Sequence, residues 1–141
     1  MNETSGRLIG VDTNVLVRWL TADDAIGYDR AARLIAEAGD DALYLSDTVL
    51  IELVWILTRT YRLGRMEALE TLEAVLDTRQ FVCADRGLCL EALRLAQESG
   101  CDFADALAAV ANREAGCETT LTFDQKAARL PLMTLLEEPS P

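Results

Sequence analysis

Short apolar runs alternate with longer helix-patterned segments along almost the whole chain. The runs fit strands of three to five residues, and the segments between them carry apolar side chains every three or four residues, as one face of an α-helix does. Strands that alternate with helices form a mostly parallel sheet with helices on both faces. Strands are predicted at 8–12, 43–45, 81–83, 119–122 and 132–135, and helices at 13–20, 26–38, about 46–62, 66–77, 88–98, 103–115 and 125–130.

Length and composition indicate how many domains this α/β chain forms and where in the cell we expect it. A chain of 141 residues that is 50% hydrophobic and 6% aromatic can form one domain with an aliphatic core, predicted at residues 1–136 with a frayed tail at 137–141. The first seven residues lack the features of a signal peptide, and no apolar stretch is long enough for a membrane span. We therefore expect a cytoplasmic protein.

Four acidic residues lie inside or at the end of apolar runs, where an ionised carboxylate is costly unless a partner compensates it. They are Asp12, Glu52, Asp105 and Asp124. Asp12 and Asp124 follow predicted strands, and ligands of parallel sheets bind beyond the carboxyl ends of the strands. We therefore expect the four carboxylates to share one site.

Each acid also has a structural interpretation. Asp12 and Asp124 can cap the helices that follow them, and Asp102 and Asp105, three residues apart, suit the first turn of a helix because of its dipole. Glu52 has no such explanation, because it lies inside a helix that is apolar nearly all round; a narrow solvent-facing stripe is its alternative. The residues alone leave these alternatives open.

The chain contains no histidine and four cysteines without a C-x-x-C pair, which argues against zinc and for free thiols. Carboxylate oxygens alone favour Mg²⁺ or Mn²⁺. Acids around such cations support metal-assisted hydrolysis, in which bound water is activated and charge on a phosphoryl oxygen is stabilised. A histidine-based triad is excluded, and no glycine-rich phosphate loop is present.

Four segments resemble the motifs of the PIN domain, and more closely those of the VapC toxins of bacterial type II toxin–antitoxin pairs. They are Val11 to Val17, the helix from Ser46 through Glu52 and Leu53, Asp102 to Leu107, and Leu121 to Asp124. Each motif is short, but the four occur in the family's order and spacing between about residues 8 and 135.

The resemblance implies a PIN-like three-layer fold with a sheet of about five strands, and a Mg²⁺- or Mn²⁺-dependent endoribonuclease. Asp12, Glu52 and Asp105 would be catalytic and would bind metal together with Asp124, the family's most variable acidic position. Asn14 would orient Asp12 or a water, and Asp102 would assist. The implied partners are RNA, a second copy of the chain and a cognate antitoxin. The complex would bind operator DNA only through that antitoxin.

The charge of the chain must be reconciled with an RNA substrate. With 24 acidic and 13 basic residues the net charge is −11, which argues against gripping nucleic acid by bulk charge. Local arginines can still contact phosphates. Arg59, Arg62 and Arg65 cluster where the long helix ends and are the candidate RNA contacts, with solvated helix faces as the alternative interpretation.

Three other classes of protein deserve comparison. A receiver domain needs paired acids after the first strand and a lysine near the last one, but only Asp12 follows the first strand here. A haloacid-dehalogenase-like phosphatase needs the motif Asp-x-Asp, and Asp12-Thr13-Asn14 does not match it. A non-catalytic PIN-fold binding module is compatible with the sequence, although the presence of all four acids favours catalysis.

Overall fold

The computed structural model describes residues 7–137, and these contain the predicted alternation of helices and strands. In chain order the elements are β1 (Ile9–Gly10), α1 (Thr13–Thr21), α2 (Ala25–Glu37), β2 (Leu43–Tyr44), α3 (Asp47–Arg59), α4 (Arg65–Leu76), β3 (Phe81–Val82), α5 (Arg86–Ser99), α6 (Phe103–Glu114), β4 (Thr120–Thr122), a 3₁₀ turn (Ala127–Arg129) and β5 (Met133–Leu135). The chain divides into two compact units, one up to Arg86 and one from Gly87 onward. The single domain expected over residues 1–136 stays a prediction, and the frayed tail lies, from Glu138 on, outside the described residues.

The first unit is built on a parallel sheet in the order β1-β2-β3, with Leu43 of β2 opposite Ile9 on one side and Phe81 on the other. Fully buried leucines from α1, α3 and α4 form much of its core: Leu16, Leu50, Leu53, Leu57, Leu69 and Leu72. Trp19 adds an edge-to-face contact with the ring of Phe81. Aliphatic side chains therefore dominate this core, as the composition predicts.

Strand β1 is more exposed than its sequence predicts. Leu8 and Ile9 are 59% and 51% exposed, although the run was expected to be a buried strand. In the three-stranded sheet β1 is an edge strand that pairs only with β2. Only its continuation, Val11, is buried.

Helix α3 begins where the sequence predicts and ends earlier. The Ser46 side chain accepts a hydrogen bond from the backbone N–H of Val49, which caps the helix. The helix ends at Arg59 rather than near Arg62, whose positive φ of 57° is incompatible with continuing it. The helix is also less buried than expected, because both Trp55 and Glu52 are exposed.

The second unit contains α5, α6 and a two-stranded parallel sheet of β4 and β5. Glycines with positive φ, Gly100 and Gly116, follow the two helices, as predicted. Arg113 of α6 binds both carboxylate oxygens of Glu91 on α5, at 2.5 and 2.7 Å, and this contact lowers the pKa of Glu91. The short helix predicted at 125–130 is only the 3₁₀ turn Ala127–Arg129.

All strand pairings among residues 7–137 are parallel, and the five strands form a three-stranded and a two-stranded sheet. The α/β class and the mostly parallel sheet are therefore confirmed. The four cysteines are free thiols, and no helix in the described part of the chain is long and apolar enough to cross a membrane.

Candidate active site

Asp12 sits between β1 and α1 as the N-cap of the helix. Its backbone is extended, with φ −78° and ψ 159°, and its Oδ1 accepts a hydrogen bond from the backbone N–H of Thr13 at 2.7 Å. The capping role suggested by the sequence is therefore real. A carboxylate has further lone pairs, and the Asp12 side chain is exposed, so the cap leaves it able to bind a ligand.

Glu52 is tied to the same threonine from a distant part of the chain. The hydroxyl of Thr13 donates to Glu52 Oε1 at 2.6 Å, across 39 positions of sequence. Thr13 itself is 4% exposed, so its hydroxyl is fixed by packing. One buried threonine thereby holds Asp12 through its backbone and Glu52 through its side chain.

Thr13 is the residue that sequence reasoning missed. It stands in the Asp12-Thr13-Asn14 segment, where a threonine at a helix start is ordinary and does not by itself indicate a function. The sequence offered one indication of its role: Thr13 directly follows Asp12 and begins α1, which was to pack near the helix that carries Glu52. Only the packing of α1 against α3 reveals the bridge.

The pKa of Asp105 is affected by two other acids of the second unit. Asp105 lies in the first turn of α6, partly buried, and its pKa is raised first by that burial and then by the negative charges of Asp102 and Asp124. Asp102 is the N-cap residue of α6 but makes no side-chain capping hydrogen bond. Its negative charge nevertheless contributes to the raised pKa of Asp105.

Asp124 performs the capping function that its sequence allows. Its Oδ1 accepts hydrogen bonds from the backbone N–H groups of Lys126 at 2.8 Å and Ala127 at 3.3 Å, and its own N–H donates to Thr122 Oγ1 at 3.0 Å. These contacts fix the exposed carboxylate at the end of β4. The other carboxylate oxygen makes no hydrogen bond within residues 7–137.

The structure thus links Asp12 and Glu52 through Thr13 in the first unit, and it places Asp105 within influence of Asp102 and Asp124 in the second. Within residues 7–137, no three or more acidic or cysteine side chains form a ready-made metal site. The chemistry of the side chains nevertheless fits a hard divalent cation. Their donors are carboxylate oxygens, and the pKa of Asp105 is raised first by burial and then by the negative charges of Asp102 and Asp124, which a cation would offset.

The remaining candidates are all in the first unit. Asn14 is exposed and lines a cavity between α1 and α2. The guanidinium of Arg59 lies 5.8 Å from the centre of the Trp55 ring, while Arg62 is exposed in the segment between α3 and α4 and Arg65 begins α4. The three arginines thus lie at the end of α3, in the segment after it and at the start of α4, and both their clustering and their contact with RNA stay predictions.

Comparison with known proteins identifies the family. The sequence model of the PIN domain matches residues 9–132, which include all four candidate acids. The chain belongs to the PIN domain family. Among solved structures, the crystal structure of Mycobacterium tuberculosis VapC20, described as a sarcin-ricin loop cleaving toxin, is 24% identical, with 88% of this chain and 95% of that chain covered and a TM-score of 0.40. No curated protein matches the chain significantly.

Proposed function

We propose that this PIN domain protein is a metal-dependent endoribonuclease and the toxin of a toxin–antitoxin pair. The observation that carries the nuclease proposal is the pair formed by Asp12 and Glu52, each one hydrogen bond from Thr13, at 2.7 and 2.6 Å. The Asp12 hydrogen bond is a local helix cap, but the hydrogen bond from Thr13 to Glu52 spans 39 positions of sequence and has no such local explanation. Membership of the PIN domain family and the order of its acidic motifs support the same reading.

In this proposal Asp12, Glu52, Asp105 and Asp124 hold Mg²⁺ or Mn²⁺. When bound, the metal lowers the pKa of a water molecule and stabilises charge on the phosphoryl oxygens of RNA. Thr13 keeps Glu52 beside Asp12, so that this pair is ordered before substrate arrives. Asn14, two residues after Asp12, orients that carboxylate or a water, and Asp102 strengthens the negative field at Asp105.

The proton chemistry falls to carboxylates because the chain contains no histidine. Asp105 is proposed as the third catalytic carboxylate, and it would hold the metal from the first turn of α6. Asp12 and Glu52 serve as catalytic metal ligands.

The toxin role, the antitoxin and the homodimer rest on the likeness of the motifs to VapC toxins. The antitoxin would bind this chain and carry the complex to operator DNA in the cytoplasm. The net charge of −11 is consistent with a basic partner segment, since opposite charge speeds and orients association.

The nuclease proposal is tested with the chain purified free of any antitoxin and incubated with total RNA in Mg²⁺, in Mn²⁺ and in EDTA. We expect cleavage with either metal, none in EDTA, and losses of at least about a hundredfold for Asp12→Asn and Glu52→Gln. Matched controls are Asp29→Asn and Glu70→Gln, exposed acids of α2 and α4 outside the motifs, which should cleave like the wild type. Cleavage that survives EDTA or either active-site substitution would sink the assignment.

The toxin proposal needs its own test. Expression of the chain should arrest growth, expression of Asp12→Asn should not, and a small open reading frame next to the gene should relieve the arrest. Cleavage in the test tube without growth arrest would leave a stand-alone PIN nuclease and remove the toxin role.

A non-catalytic binding module is the second candidate. It is favoured by one observation, the lack of a ready-made group of three acids within residues 7–137. It predicts RNA or protein binding without cleavage under every metal condition above, and binding that Asp12→Asn leaves unchanged.

A further inference from the structure

Helices α1 and α2 enclose a cavity of about 470 Å³ in the first unit. That volume lies within the range of pockets that hold small ligands or parts of larger ones. Its wall combines polar and apolar side chains, chiefly Asn14, Arg18, Asp24, Ile26, Arg30 and Leu34. None of these residues belongs to the acid pair described above.

The apolar part of the wall faces solvent to an unusual degree. Ile26 is 66% exposed and Leu34 is 37% exposed, and both line the cavity. Large apolar side chains that are exposed around a concave surface often mark a binding site. They offer a surface on which a flat apolar or aromatic group can lie.

The polar part of the wall carries positive charge. Arg18 pairs with Asp24, whereas Arg30 is exposed and makes no salt bridge within residues 7–137. A free guanidinium presents several donors suited to phosphate oxygens. The cavity therefore pairs an apolar wall with an unneutralised cation, in a chain whose overall charge is strongly negative.

Gly27 makes room for the Arg18 side chain. A Cβ built on Gly27 would lie 2.6 Å from Arg18 Cδ and 2.9 Å from Asp24 Oδ2, closer than real contacts allow. Glycine inside a helix costs stability relative to alanine, so its presence in α2 needs a reason. The reason in this structure is that Arg18 and Asp24 occupy the space over the helix.

Two polar residues that line the cavity follow Asp12 closely in sequence. Asn14 lies two residues after Asp12, and Arg18 lies on the same helix six residues after Asp12, about 9 Å along the axis at 1.5 Å per residue. A single strand of RNA covers that distance within a few nucleotides. A strand held at Asp12 can therefore place a neighbouring nucleotide in the cavity.

We infer that the cavity between α1 and α2 is a nucleotide subsite of the RNA substrate, an inference that rests on the proposed nuclease function. Arg30 binds a phosphate, and the base lies against Ile26 and Leu34. Arg18, held by Asp24 over Gly27, closes the polar side. The subsite fixes the position of the strand relative to Asp12 and thereby contributes to the choice of cleavage site.

The test measures binding of a fluorescein-labelled single-stranded oligoribonucleotide to the full chain by anisotropy, in EDTA so that no cleavage occurs. Arg30→Gln should weaken binding about tenfold, the usual effect of losing one charge-assisted hydrogen bond. It should also reduce the slope of log affinity against log salt by about 0.7, the value for one phosphate contact on a single strand. Arg33→Gln is the matched control, because Arg33 is exposed on the same helix and does not line the cavity; it should behave as wild type.

The outcomes separate this inference from the proposed function. RNA cleavage by the wild type together with equal binding by the wild type, Arg30→Gln and Arg33→Gln would overturn the subsite and leave the nuclease intact. Absence of cleavage with Mg²⁺ or Mn²⁺, together with a selective effect of Arg30→Gln on binding, would overturn the nuclease and leave the subsite. Weakened antitoxin binding by Arg30→Gln, with RNA binding unchanged, would overturn the subsite in favour of a protein-docking surface.

Discussion

Thr13 determines whether the Asp12 and Glu52 carboxylates stay together. Thr13→Ala removes the hydroxyl that donates to Glu52, and we expect kcat for RNA cleavage to fall about ten- to a hundredfold, as it does when a group that orients a metal ligand is lost. Thr13→Ser keeps the hydroxyl and should retain most of the activity. Steady-state cleavage of one defined RNA measures both variants.

Thermal unfolding distinguishes positioning from general damage. Thr13 is buried, so the serine variant loses a buried methyl group at a cost of about 1 kcal/mol, and the alanine variant loses both that methyl group and the hydrogen bond, at about 2 kcal/mol in all. The alanine variant should therefore be only about 1 kcal/mol less stable than the serine variant, but far less active. Equal activities would show that Thr13 does not position Glu52.

Asp105 makes the stability of the metal-free protein depend on pH. Because its pKa is raised in the folded protein, by burial first and then by Asp102 and Asp124, the folded state binds its proton more tightly than the unfolded state does. Stability from this group is then greatest at low pH and falls as pH rises from its ordinary pKa of 3.8 through the raised value. Asp105→Asn should be more stable than wild type at pH 7, with the difference vanishing below pH 3.8.

Urea unfolding in EDTA across this pH range measures the effect. Asp29→Asn, an exposed acid of α2 with no part in this cluster, should show no such pH-dependent gain. A destabilised Asp105→Asn at pH 7 would mean that the carboxylate makes stabilising contacts that outweigh its burial and the repulsion.

At the scale of elements, the helices were the most predictable part of the fold. Their apolar periodicity and their ends were both visible in sequence, since Ser46 caps α3, and Gly100 and Gly116 follow α5 and α6. These are local interactions, set by a few neighbouring residues. The order of the elements and their parallel pairing followed from the same alternation.

Features that depend on neighbours in space were not predictable. The exposure of Leu8 and Ile9 follows from the edge position of β1, which the apolar run does not reveal. The threonine between Asp12 and Glu52 depends on how α1 packs against α3. For the candidate site, the acids and their alternative capping roles could be predicted from the sequence, whereas the hydrogen bond from Thr13 to Glu52 depends on the packing of the first unit.

In helix α2, the residue at position 27 affects stability and RNA binding in opposite directions. Gly27→Ala should stabilise the protein by up to about 1 kcal/mol, the gain in helix propensity, because the atoms in the way are the ends of the flexible Arg18 and Asp24 side chains. The same change displaces Arg18 from the cavity and should weaken oligoribonucleotide binding several-fold. Thermal unfolding and anisotropy measure the two effects on one sample.

Gly39→Ala is the matched control, since a Cβ at Gly39 would meet nothing within 4 Å and Gly39 lies outside the α1–α2 cavity. It should leave oligoribonucleotide binding unchanged. A Gly27→Ala protein that binds as wild type would show that the placement of Arg18 is irrelevant to RNA.

For the whole molecule, the net charge of −11 governs how RNA can be held. Repulsion between an acidic protein and a polyanion leaves only a few local arginine contacts in the absence of metal. The metal-free chain should therefore bind RNA modestly, with a shallow salt dependence of about 0.7 per phosphate contact. Divalent cations bound by the proposed metal ligands should then raise the affinity for RNA steeply.

Filter binding of a cleavage-resistant RNA, titrated with Mg²⁺ at constant ionic strength, measures this dependence. Asp12→Asn should blunt the response to Mg²⁺, because it removes one of the proposed metal ligands, whereas Asp29→Asn should respond as wild type does. The Asp12→Asn variant should also bind RNA slightly better than wild type in EDTA, since one negative charge beside the strand is gone. Tight RNA affinity that is independent of metal would contradict this account. It would require an extended basic surface, and a chain with 24 acidic and 13 basic residues has few basic side chains from which to build one.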